Sequence, residues 1–203
     1  MKRKYFFLFS IFYLLLSVFL WGCGEGPGSP GSSGSEDTGI NIKSVSITSE
    51  TPDLDVYSCP DCCAGGTSEP GLTREDATIS IESEKLNPDS TVDPYPASVE
   101  QCTITYKKAI EDPSSPIIES LNIYPNCPII EGSNSCNVTL IDIDRKQAYW
   151  NAIYYGTNVP GEYPTHYIAQ YNCKYVNNFG EEGSFQTEYD IYLADFNMCG
   201  GGE

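Results

Sequence analysis

The sequence predicts an all-β chain, with a disulfide-stapled antiparallel sandwich of about seven or eight strands behind an apolar leader and a flexible linker. Three observations carry this. Between Ile40 and Cys199 stand 17 Ile, seven Val and 13 Tyr against six Leu, and β-branched and aromatic side chains suit a pleated, half-buried surface better than a helix. Apolar residues alternate with polar ones in run after run, and Pro, Gly, Asn and Asp separate the runs.

In chain order, Lys2, Arg3 and Lys4 precede an uninterrupted apolar run from Tyr5 to Trp21, a basic n-region followed by an h-region. The run is short for a membrane span and ends in Leu20-Trp21-Gly22-Cys23 with no charged stop-transfer flank. It resembles a bacterial lipoprotein signal, with Leu20 three before the cysteine and the small Gly22 just before it; Trp21 stands where that pattern usually has a small residue. The resemblance implies cleavage between Gly22 and Cys23, acylation of Cys23, and a membrane partnership through that lipid. Gly24 stands where enteric lipoproteins retained in the inner membrane carry aspartate. The expected location is therefore extracytoplasmic, with the outer membrane favoured over the inner.

Residues 24–39 (GEGPGSPGSSGSEDTG) hold six glycines, four serines and two prolines, a composition that buries no core and behaves as a flexible coil. The expected plan is a signal peptide at 1–22, a lipidated cysteine and linker at 23–39, the sandwich at 40–199 and a tail at 200–203. Losing the leader's three positive charges leaves eight Lys and Arg against 28 acids, a net −20. Such a chain repels polyphosphate at long range, so nucleic acid is excluded as a partner.

Strands are expected at Ile40–Thr48, Leu54–Tyr57, around Ala77, Ile79 and Ile81, around Cys102, Ile104 and Tyr106, at Ile117–Ile123, and around Val138 and Leu140. Residues 144–152 (DRKQAYWNA) tolerate a short helix. The clearest pair comes last. Tyr167, Ala169, Tyr171, Cys173 and Tyr175 share one strand face, residues 177–183 supply turn residues, and Phe185, Thr187, Tyr189, Ile191 and Leu193 alternate on the return.

Residues 167–173 (YIAQYNC) resemble the immunoglobulin pattern in which alanine, tyrosine and cysteine alternate near the start of strand F; this implies an Ig-like sandwich with Tyr171 as a tyrosine corner. Tyr167 stands where that pattern leads with aspartate. A broader resemblance covers roughly Asp76 to Phe196. It rests on Asp76-Ala77-Thr78 with Asn87-Pro88 after it, the segment SVEQCTITYKK, Ile130-Glu131-Gly132-Ser133 before Val138-Thr139-Leu140, and the ending Ala194-Asp195-Phe196. This is similar to a family of uncharacterised bacterial envelope lipoproteins. It implies a β-sandwich and an envelope location, and transfers no active site.

With Cys23 assigned to lipid, eight cysteines remain: Cys59, Cys62, Cys63, Cys102, Cys127, Cys136, Cys173 and Cys199. An even count in an exported domain reads as up to four disulfides, in any of 105 connectivities. The most local pairing is Cys127 with Cys136, worth about 3 kcal/mol in the chain-entropy model. Residues 59–63 (CPDCC) also have a thiol spacing used for zinc, iron–sulfur and thiol–disulfide chemistry. No second Cys-x-x-Cys pair and no βαβ pattern accompany it, so structural disulfides are favoured, with an envelope thiol-redox or metal protein as the alternative.

No catalytic set, metal or other cofactor is expected. His166 is the sole histidine and reads as a surface or strand-end residue. The acidic pairs Asp53 and Asp55, Asp142 and Asp144, and Glu181 and Glu182 lack EF-hand spacing and read as solvated charge. Tyr154, Tyr155, Tyr163 and Tyr167 could form a protein or glycan contact surface, tyrosine having an apolar body and a polar tip, but core and corner packing is the expected role of most of them. The functional expectation is a lipid-anchored, non-catalytic binding or assembly module.

Overall fold

The computed structural model describes residues 35–59, 71–156 and 158–196. Among the described residues nine strands form: β1 (Ile40–Thr48), β2 (Asp53–Asp55), β3 (Glu75–Lys85), β4 (Ala97–Lys108), β5 (Leu121–Ile123), β6 (Cys127–Ile129), β7 (Gly132–Ile141), β8 (Thr165–Val176) and β9 (Glu182–Ala194). A single helical turn, α1 (Ser35–Thr38), precedes them, and a helix, α2 (Ile143–Tyr154), joins β7 to β8. One sheet runs β1-β3-β7. The other runs β2-β9-β8-β4-β5, with β6 also paired to β4. All pairings are antiparallel except β2 on β9. Taking β1, β3, β4, β7, β8 and β9 as strands A, B, C, E, F and G gives an ABE sheet facing a GFC sheet, the order of an immunoglobulin-like sandwich. Eight of these strands fall on expected runs, and the ninth, β6, is a three-residue strand the alternation did not signal.

Alternation places the core. Ala77, Ile79 and Ile81 of β3 and Ala97, Val99, Cys102, Ile104 and Tyr106 of β4 are buried between the sheets. In β1 a register shift between Ile42 and Ser44 resets the phase, so Val45 and Ile47 face inward as Ile40 and Ile42 do. The expected inner face of β8 is buried along its whole length, at Tyr167, Ala169, Tyr171, Cys173 and Tyr175.

A buried tyrosine must find a hydrogen-bond partner, and these three find partners in three different segments. Tyr167 donates to the carbonyl of Pro116 at 2.7 Å and Tyr171 to that of Thr139 in β7 at 2.9 Å. The Tyr175 hydroxyl lies 3.1 Å from Thr38 Oγ1 in α1. Tyr171 is therefore not a tyrosine corner. Its hydroxyl crosses the core to the opposite sheet instead of folding back onto the chain just upstream, because it stands in mid-strand with β7 facing it. Tyr106 makes a second tie of this kind, to the carbonyl of Leu140 at 2.7 Å.

The disulfides divide the same labour. Cys127 and Cys136 are bonded, joining β6 of one sheet to β7 of the other at their shared edge. Cys102 and Cys173 are bonded between neighbouring strands, where they stand directly opposite each other in the β4–β8 register. Cys59 is also in a disulfide. Cys23, Cys62, Cys63 and Cys199 lie outside the described residues, as do Gly22 and the leader.

Gly183 stands opposite Tyr175 in the β8–β9 register, and the tyrosine ring occupies the space above it. A Cβ at Gly183 would lie 2.3 Å from Tyr175 Cζ, and the ring cannot swing away because it is buried and its hydroxyl meets Thr38. Gly183→Ala is expected to destabilise the fold by about 1–3 kcal/mol, the usual cost of overpacking. Urea unfolding of Gly183→Ala, Tyr175→Leu and the double variant checks it: the alanine should cost much less once the ring is gone. An equal cost in both backgrounds would refute the steric account.

Three expectations are corrected. The linker does not extend to Gly39: Thr38 is buried, and its carbonyl accepts from Asn177 Nδ2 at 3.0 Å, so the folded body begins inside the stretch assigned to coil. Residues 117–120 are not strand. Pro113 and Pro116 withhold ladder donors, and the connection curls around Asp112 before pairing begins at Leu121. The helix is longer than 144–152. Asp142 caps it by accepting from Arg145 N at 3.0 Å, and Gly156, at φ +69°, turns the chain out at its C-terminus.

Candidate functional site

The strand registers define two poles. The chain enters at Ile40, beside Lys85, and Val176 and Glu182 mark the same end. At the far end lie Thr48, Glu75, Lys108, Ile141, Thr165 and Ala194. The connections that gather there are β1–β3, β4–β5 and β7–β8.

Helix α2 closes this far pole with one inward side chain for each sheet. Lys146, buried on the helix, donates from Nζ to Glu75 Oε1 at 2.8 Å in the β1-β3-β7 sheet. Tyr149 donates from its hydroxyl to Thr165 Oγ1 at 2.5 Å, and lies 3.3 Å from the carbonyl of Leu193, in the other sheet. Burial raises the Tyr149 phenol to about 12. The helix start is held sideways by Arg145, which pairs with Asp142 at 2.6 Å and donates to the carbonyls of Glu119 and Ser120.

The β4–β5 connection is held by side chains instead of a ladder. Asp112 accepts from Gly161 N at 2.8 Å and from the hydroxyls of Ser114 and Ser115. The Gly161 amide first, then these hydroxyls, hold its carboxyl well below the usual carboxylate range. Lys108 Nζ donates to the carbonyls of Asp112 and Ser115 at 2.7 and 2.6 Å, and Asn158 Nδ2 to that of Ser114 at 3.1 Å. Two loops some 50 residues apart in sequence are thereby fused into one surface. Beneath them lies a cavity of about 210 Å³ lined by Lys108, Ile110, Asp112, Glu162 and His166, among others.

His166 sits on the outer face of β8, 2.7 Å from Asp190 Oδ1 and stacked on Tyr192 with centroids 4.5 Å apart. It is the strand-end histidine expected from sequence. One member of each acidic pair accepts a local hydrogen bond, two from backbone amides and one from a side-chain amide. Asp55 Oδ1 accepts from Tyr57 N at 3.3 Å, Asp142 caps α2, and Glu181 accepts from Asn177 Nδ2 at 2.9 Å. Among the described residues no group of three or more His, Cys, Asp or Glu side chains is placed to hold a metal.

The apolar surface is distributed unevenly. Ile110, Ile117, Ile143, Tyr154, Tyr155, Val159 and Tyr163 are all exposed, and all belong to the far-pole connections. The entry pole exposes Leu86, Val92, Ile130 and Phe179, and the β5–β6 connection exposes Tyr124. At the far pole four rings run in a line. Tyr57 stacks on Trp150 at 4.7 Å, Trp150 leans on Tyr154 at 5.8 Å, and Tyr155 meets Tyr154 at 5.4 Å and 82°. Tyr154 and Tyr155 are 68% and 74% exposed, so ring surface of both reaches solvent. Of the four tyrosines weighed as a contact surface, with core packing the expected role of most, Tyr154, Tyr155 and Tyr163 are exposed here. Tyr167 is not, since it is fully buried and tied to Pro116. Tyr57 and Trp150 were not anticipated as partners, being 93 residues apart in numbering and joined only by the fold.

No family model matches the chain. No curated protein matches it either. Among solved structures, one titled "X-ray structure of Northeast Structural Genomics Consortium target SoR45" is similar over 82% of this chain and 96% of that one, at 10% identity and a TM-score of 0.29. The arrangement at the far pole has the chemistry of a contact surface: an immobilised aromatic line, exposed aliphatic neighbours, and loops made rigid from below.

Proposed function

We propose that this chain is a lipid-anchored envelope protein, held through Cys23 with the outer membrane favoured, and that its sandwich is a non-catalytic binding or assembly module. The observation that carries the binding reading is the concentration of exposed aromatic and aliphatic side chains at the pole opposite the chain's entry. A chain tethered at its N-terminus holds that entry pole toward the membrane and presents the far pole outward. Strands of 12 residues at about 3.3 Å each separate the two by roughly 40 Å. The lipobox-like Leu20-Trp21-Gly22-Cys23 and the linker after it support the tether. The disulfide at Cys59 takes that sulfur out of the thiolate pool a metal needs, which supports the structural reading of the cysteine cluster over a metal centre.

Two measurements test this reading. Labelled palmitate is expected in the wild-type chain and absent from Cys23→Ser; label persisting in that variant ends the anchor. A photo-crosslinker placed at Tyr155 in living cells is expected to give a discrete adduct that the same probe at Phe179 does not. Adducts from Phe179 alone, or from neither site, would remove the far pole as the docking surface.

A further inference from the structure

We infer that the far-pole aromatic line receives the lysine or arginine side chains of a basic protein partner, an inference that rests on the binding-module reading and names the partner's chemistry. Tyr154 and Tyr155 stand at the C-terminal end of α2 with their planes 82° apart, so together they form a corner with ring surface open to solvent. The corner cannot collapse, because Tyr154 is backed by Trp150 and Trp150 by Tyr57. Aromatic faces carry negative quadrupole density and attract guanidinium and ammonium groups.

Two further fields at this corner have the same sign. The helix that ends there has no basic residue in its last turn, so the negative end of its dipole is not offset by its own side chains. The chain as a whole carries 28 acidic against 11 basic residues, and Glu162 follows Tyr155 by seven residues on the same connection. A polyanion is repelled by this arrangement, and a neutral glycan stacks on rings but gains nothing from the dipole or the charge. A cation gains from all three. Tyrosine and tryptophan are also the residues that most often dominate binding at protein interfaces, with arginine their frequent counterpart.

The test uses the full-length protein in an uncharged detergent and three probes: a peptide of alternating arginine and serine, its glutamate counterpart, and a neutral chitin oligosaccharide. The arginine peptide is expected to bind and the glutamate peptide not to. Tyr154→Leu with Tyr155→Leu leaves net charge unchanged and should weaken arginine-peptide binding about tenfold or more, while the Phe pair, which keeps the rings, should stay within about threefold of wild type. Both positions are exposed, and circular dichroism of each variant checks that the fold is intact. An arginine peptide that binds the Leu pair as tightly as wild type overturns the inference, because attraction would then come from overall charge alone. Oligosaccharide binding lost in the Leu pair, with no arginine-peptide binding, overturns the partner class while leaving the binding module standing. An arginine peptide that does not bind overturns it too, and the Tyr155 crosslink then shows separately whether the far pole docks anything.

Discussion

Replacing Cys102 and Cys173 together by alanine is expected to lower the unfolding free energy by about 4 kcal/mol, against about 3 kcal/mol for the Cys127 and Cys136 pair. The difference follows from loop length. The first bridge closes a sequence separation of 71 residues and the second one of nine, so the first removes more freedom from the unfolded chain. Burial adds a smaller part, since Cys102, Cys173 and Cys127 all lie in the core and only Cys136 is partly exposed. Urea midpoints of the two double variants under identical conditions check the order. If the Cys127/Cys136 pair proves the costlier, unfolded-state entropy is not what these bridges control, and the tie between the two sheet edges matters more than the loop.

The second large effect is a steep alkaline transition. Burial raises the phenol of Tyr149 to about 12 and drives those of Tyr106, Tyr167 and Tyr171 higher, with Tyr175 raised as well. In the unfolded chain a tyrosine ionises near pH 10. Above that pH the unfolded state sheds protons that the folded state keeps, so stability, fully present below pH 10, falls as pH rises. Each such tyrosine contributes about 1.4 kcal/mol of loss per pH unit, and five acting together approach the whole stability of an ordinary domain within roughly one to two units. Tyrosinate absorbance and the β-sheet circular dichroism signal should change together in one cooperative step. Complete tyrosinate formation with the sheet signal intact would show that these phenols reach solvent without unfolding.

β8 carries three of these five tyrosines and one end of the Cys102–Cys173 bridge, and that strand shows how much a sequence discloses. The alternation of Tyr167, Ala169, Tyr171, Cys173 and Tyr175 states which face is buried, because side chains in any extended strand point alternately to opposite faces. The destinations of the hydroxyls are not stated. Tyr171 resembles a corner tyrosine in its local letters, yet it bonds across the core to Thr139, and Tyr175 reaches back to Thr38 in a stretch whose composition reads as coil. Composition reports what a segment can bury by itself. Thr38 is ordered by a tyrosine and an asparagine at the other end of the chain.

The candidate site divides the same way. The tyrosines near the end of α2 were legible as candidate contact residues, but not as exposed ones, since an aromatic side chain reads first as core and only the packing of α2 leaves Tyr154 and Tyr155 outside. Their backing by Trp150 and Tyr57 was not, nor was the rigid floor that Asp112 builds by joining Gly161 to Ser114 and Ser115. Asp112 sits among prolines and serines and reads only as a turn residue. Its effect depends on a loop 49 residues later lying against it.

By itself, then, the sequence determined the β class, the inner faces of the main strands and the final hairpin, and made Cys127–Cys136 the most local of the possible bridges, all consequences of backbone periodicity or short loops. The tertiary structure decided that Cys102 meets Cys173, which sheet each strand joins, and that Tyr57, the β4–β5 loop and helix α2 converge on one pole. Those are long-range pairings, and among the many that local geometry allows, only packing of the whole chain into one core selects them.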